Sequence, residues 1–93
     1  MNAAASTGAV DSDEVFAIVR AALARVLEID PDSITRETSL STDLHADSLA
    51  LVETVELVEG QLRQRSPEFE IDDDDVEALE TVGQAVHYVM ARL

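Results

Sequence analysis

The chain contains no cysteine and no lysine. Without cysteine there is no disulfide framework, no thiolate metal site and no protein thiol for covalent catalysis, so any thioester chemistry needs a thiol supplied from outside the chain. Long apolar runs are missing as well. No stretch approaches the ~20 apolar residues that span a bilayer, and the N-terminus has neither the basic nor the apolar region of a secretory signal. A soluble protein of the cytosol is expected, with no membrane partner. There is no G-x-S-x-G elbow to mark a hydrolase serine. The acidic run "DDDD", Asp72 to Asp75, lacks the D-x-D-x-D-G spacing and the glycine of a calcium loop, so no metal site is expected.

What is present is acid. The chain has 20 acidic residues against 6 basic ones, all arginine, and a formal net charge of -14. The exclusive use of arginine is read as codon preference. A field of this sign excludes nucleic acid, whose phosphates require the opposite charge. It favours encounter with basic protein surfaces and keeps a small domain soluble, with a monomer expected. At 93 residues and 46% hydrophobic content the chain can build one small core, too little for a deep water-excluding enzyme site.

Residues 1–10, "MNAAASTGAV", lack charge and periodicity and read as a flexible leader, with one domain over residues 11–93. Asp11 and Glu14 form a capping pair ahead of Val15, Phe16, Ile18, Val19, Ala22, Leu23, Val26 and Leu27, which share one half of a helix ending near Glu28. A long polar loop follows Pro31, pinned by Ile34, Leu40 and Leu44 and holding one helical turn; these anchors argue for order. From Ser48 the helical period returns, with Leu51, Val55, Val58 and Leu62 on one stripe and Asp47 as N-cap. Pro67 breaks the pattern, and Phe69 and Ile71 re-anchor the chain. "DDDDVEAL" then places acids in the first turn of a short helix, where the dipole favours them. Thr81 and Gln84 form the capping box of a last helix with the stripe Val82, Val86, Val89 and Leu93. The expected fold is all-α: a four-helix bundle of three main helices and a short third one, with a long loop between helices one and two and no strand.

Ser48 is the residue that asks for a function. A serine near a helix start is ordinarily structural. Catalysis is not expected, because His45, Asp47 and Ser48 lie side by side and cannot adopt the geometry of a triad. The remaining reading is a site of attachment: a hydroxyl at the surface, at the positive end of a helix, suits a phosphodiester. Around it Leu49, Val52, Glu53, Glu56 and Glu59 fall off the core stripe, forming either a solvated face or a docking face for basic proteins. His45 and His87 lack ligand spacing and read as surface residues. Tyr88 is given no role.

The segments "DLHADSLALVETVELVE" and "IDDDDVEALETVGQAVHYV" together resemble the acyl carrier proteins of fatty acid and polyketide synthesis. That family runs approximately D-L-G-A-D-S-L, an acidic helix with V-E, I-P-D-E-D, then T-V-x-x-A-V-x-Y-[IV]. The likeness covers roughly residues 11 to 93, with the motifs in the right order and at nearly the right spacing. It implies that Ser48 carries 4'-phosphopantetheine, transferred from coenzyme A by a phosphopantetheinyl transferase, and that the arm supplies the thiol the chain lacks. It implies acyltransferases, ketosynthases or acyl-activating ligases with basic surfaces as partners, meeting Asp47, Leu49, Val52, Glu53 and Glu56, a face the helical wheel selects independently. The chain is then a carrier and not an enzyme. An interior lined by Val55, Val58, Val76, Leu79 and Val82 would shelter an aliphatic chain, or is ordinary core.

This sequence departs from the family pattern at three places. His45 stands where glycine is usual, so the loop before Ser48 is expected to differ in backbone conformation. Asp72 replaces a proline, and the segment from Leu62 to Ile71 is longer than usual. "DSLALVE" resembles discrete polyketide carriers and the last helix the fatty acid type, which leaves the pathway open. The rival readings are a discrete aminoacyl or peptidyl carrier, and an unmodified acidic adaptor that binds basic proteins.

Overall fold

The computed structural model describes residues 10–93, which form helices α1 (Ser12–Leu27), α2 (Ser48–Leu62), α3 (Asp73–Val76) and α4 (Val82–Arg92), with a 3-10 turn at Pro31–Ser33. Each of the four begins on a side chain that takes up an otherwise unpaired backbone N–H. Asp11 accepts from Glu14 N at 2.8 Å, Asp47 from Ala50 N at 2.9 Å, Asp72 from Asp74 N at 2.9 Å and Thr81 from Gln84 N at 3.1 Å. Such a cap is worth about 1 kcal/mol against alanine. The architecture is the all-helical bundle that the periodicity predicts.

α1 packs against both α2 and α4, and α3 lies against α2. The core they enclose is built from Val15, Val19 and Leu23 of α1, Val55, Val58 and Leu62 of α2, Val76 of α3, and Val82, Val86 and Val89 of α4. The loop anchors Ile34 and Leu40 are buried with Phe69 and Ile71, and Leu44 packs half-buried against them. The leader expected over residues 1–10 lies outside the described residues except for Val10, which packs against the core.

On α2 Leu51 packs half-buried against the core, and Thr54 is buried beside the stripe, satisfying its hydroxyl by donating to Ala50 O at 2.8 Å. One stripe position is corrected. Leu93 is 42% exposed, because α4 reaches its end where no other element covers it.

The long loop is ordered by contacts that the sequence does not announce. Leu40 N donates to Glu80 O at 2.9 Å, Val82 N to Thr38 O at 3.0 Å and Gly83 N to Arg36 O at 2.8 Å, with Ser39 and Thr81 forming one antiparallel bridge. The close approach explains Gly83: a Cβ there would stand 3.0 Å from Arg36 O. The loop is thereby stitched to the head of α4, and its far end is aimed at the start of α2.

Candidate functional site

Loop geometry delivers Ser48. Asp43 Oδ2 accepts from Ser39 N at 2.8 Å and Ser39 Oγ from Thr42 N at 3.0 Å, closing the loop on itself. Ala46 N donates to Leu40 O at 2.9 Å and His45 N to Ser41 O at 3.1 Å. Between them His45 takes φ 52, a left-handed conformation. Histidine seldom adopts this conformation, yet His45 does so here. Its neighbours' hydrogen bonds hold the positive φ that glycine adopts freely, against a strain of about 1–2 kcal/mol.

Ser48 is exposed and is the first residue of α2. Because the Asp47 carboxylate makes the cap bond, the Ser48 hydroxyl is not needed for capping, which removes the ordinary structural reason for a serine here. Beside it runs a groove between α2 and α3 lined by Leu51, Val52, Val55, Val76 and the acids Asp73 and Glu77. On the outer side Leu49 is 67% exposed and Val52 36%, flanked by exposed Asp47, Glu53 and Glu56.

Glu59 does not belong to this face. Its side chain is only 15% exposed: Ile71 N donates to its carboxylate at 2.7 Å, and Arg63 lies 3.6 Å away. Arg63 Nε in turn donates to Phe69 O at 2.7 Å. Since α2 ends at Leu62, the extra length of this region lies in the loop after the helix, and Glu59 is used to fasten that loop.

Behind the groove lies an apolar cavity of about 40 Å³. Val55, Val58, Val76 and Leu79 line it, as the sequence suggests, together with Leu51, Thr54 and Tyr88. Val82 does not. It is fully buried, but the bond from its N–H to Thr38 O ties the start of α4 to the loop, away from the cavity. Groove and cavity share Leu51, Val55 and Val76 as a common wall.

Tyr88 is the residue that sequence reasoning passed over. Its ring is part of the cavity wall; its hydroxyl donates to Asp75 Oδ2 at 2.8 Å and accepts from Asp72 N at 3.2 Å. Burial pushes the hydroxyl above its ordinary pKa; the Asp75 bond adds to this, while the Asp72 N–H and the Arg92 charge oppose it. The i, i+4 pair of Tyr88 and Arg92 was the available signal.

Residues 17–89 match the family described as the phosphopantetheine attachment site. The chain is 38% identical over 80 residues to the acyl carrier protein of Lactobacillus acidophilus, covering 86% of this chain and 94% of that one. It belongs to the acyl carrier protein family. The acyl carrier protein of Thermotoga maritima is 35% identical over 81 residues, 87% of this chain and 94% of its own, and that of Lactobacillus johnsonii 38% identical over 77 residues, 83% and 90%.

This acyl carrier protein family member is therefore a carrier protein with a covalently attached 4'-phosphopantetheine. The structure fits such a group at the head of α2: an exposed hydroxyl unused in capping, backbone N–H groups of the first turn unpaired within the helix, and an adjoining groove with apolar walls. Among the described residues no cluster of potential metal ligands is present, and no helix is long and apolar enough to cross a membrane.

Proposed function

We propose that Ser48 is the attachment residue, within a carrier domain of residues 11–93, and that the arm holds acyl intermediates as thioesters for enzymes of fatty acid biosynthesis. The observation that carries this is the exposed Ser48 hydroxyl, first in α2 yet relieved of capping by Asp47. Polyketide assembly is the second reading, supported by Ala50 in "DSLA". The attached group supplies the terminal thiol. The chain's own contribution is placement: the N-terminal turn of α2 offsets the charge of a phosphodiester, an effect of about 0.3–1 kcal/mol at an exposed site.

Asp47, Leu49, Val52, Glu53 and Glu56 form the docking face, for a transferase first and then for acyltransferases, ketosynthases or acyl-activating ligases with basic surfaces. Its carboxylates attract such partners at long range and its two aliphatic side chains supply the contact. The carrier works as a cytosolic monomer. The interior behind the groove shelters part of an aliphatic cargo, each fully buried methylene contributing about 0.8 kcal/mol.

Incubation with coenzyme A, magnesium and a broad-specificity phosphopantetheinyl transferase should raise the intact mass by one phosphopantetheine, and Ser48→Ala should abolish the increase. Modification of the Ser48→Ala chain, or none of the native chain, overturns the assignment.

A further inference from the structure

A cavity of about 40 Å³ has room for no more than about three waters, at roughly 10–15 Å³ each, and not for a medium-length acyl chain. Cargo that enters it must part α2 from α3. What holds α3 in place therefore decides how readily the interior opens.

α3 is a single turn, closed by Asp75 N donating to Asp72 O at 3.0 Å and Val76 N to the same oxygen at 3.3 Å. A turn this short does not stand alone in water. The backbones of α3 and α4 barely approach one another, so side chains make the connection. Arg92 donates to Asp75 Oδ2 at 2.9 Å, the same oxygen that accepts from the Tyr88 hydroxyl at 2.8 Å, and the guanidinium lies 4.8 Å from the centre of the Tyr88 ring. Tyr88 also takes the Asp72 N–H at the first residue before α3.

We infer that Tyr88, Asp75 and Arg92 form a latch that holds α3 closed over the interior and is released when an acyl chain enters. This rests on the reading that cargo passes from the Ser48 groove to the cavity. The wall between the two is Leu51, Val55 and Val76, and Val76 adjoins Asp75 within one turn. Displacing Val76 to admit a chain displaces Asp75 from Tyr88 and Arg92. Tyr88 is a positioning residue here: it acts on access through α3 and touches no part of the arm's attachment.

Two measurements test the latch, the first without any arm. In the unmodified chain Tyr88→Phe keeps the ring and removes the hydroxyl; amide exchange at Asp75 and Val76 should quicken roughly tenfold, with smaller changes in α1. Asp75→Asn, which removes the charge facing Arg92, should act in the same direction. Unchanged exchange in α3 overturns the latch. In the second, the Tm gained on replacing the free thiol of the arm by an octanoyl thioester should be larger for Tyr88→Phe than for the native chain, because the substitution weakens only the closed form. Equal gains, zero included, overturn release by cargo. A failure of the Ser48 assignment shows itself separately, as a native chain without a mass increase, and leaves the exchange experiment to decide the latch.

Discussion

Asp13 and Glu14 at the start of α1 each meet an arginine, Arg36 at 2.8 Å and Arg65 at 2.5 Å, whereas Glu53 and Glu56 on α2 meet none among the described residues. The same contrast divides α3: Asp75 is paired with Arg92, while Asp73, at the groove, has no such partner among the described residues. At Asp13, Glu14 and Asp75 the chain supplies its own counter-charge. Glu53 and Glu56 are left to act outward, on the helix that exposes the aliphatic side chains Leu49 and Val52. The sign of a residue therefore says less about its use than whether the chain already supplies its counter-charge. Glu59 marks the border, on the same helix as Glu56 but bonded inward to Ile71.

Charge reversal at Glu53 and Glu56 to Lys should have the largest effect on this contrast. The rate of Ser48 modification at low salt is expected to fall roughly 10- to 100-fold, with the circular-dichroism spectrum unchanged. Added salt should narrow the gap between native and reversed chains, since the screening length is about 8 Å at physiological ionic strength. Equal rates at all salt concentrations would place docking elsewhere.

Glu59→Ala should do the opposite, lowering stability to denaturant by about 1–3 kcal/mol because the buried Ile71 N–H loses its acceptor, while Glu56→Gln stays within about 0.5 kcal/mol. If the two cost the same, Glu59 is not the border. Asp13→Asn should cost less than about 1 kcal/mol, as exposed ion pairs do, and should leave the rate of modification unaltered.

The smallest effect is expected at high pH. The chain has a single tyrosine, and its pKa in the fold is raised above the ordinary 10.0. The folded state thus binds this proton more tightly, and the associated stability is present at neutral pH and declines as pH rises from about 10 through the folded value. A spectrophotometric titration should place the phenol transition higher in the folded than in the unfolded chain, and Tyr88→Phe should lack this part of the alkaline loss.

Much of the fold was legible because its signals are local. Asp11, Asp47 and Thr81 cap residues three positions on, and the stripes of α1, α2 and α4 follow from helical period alone. Even there the wheel misplaced Leu93, since burial depends on which neighbour crosses a helix and where it stops. The exposure of Ser48, Leu49, Val52, Glu53 and Glu56 could be read for the same reason, since all lie off the core stripe of one helix.

By itself, then, the sequence determined the helices, their caps, the net charge and the serine, all set by interactions within about one helical turn. Tertiary structure decided the rest. It turned Glu59 inward to a residue 12 positions away, joined Tyr88 to Asp75 across 13, and stitched Leu40 to Glu80. It removed Val82 from the cavity wall and held His45 at φ 52. Such pairings arise only when packing brings distant segments together, because hydrogen bonds act over about 3 Å and require the partner's position to be known.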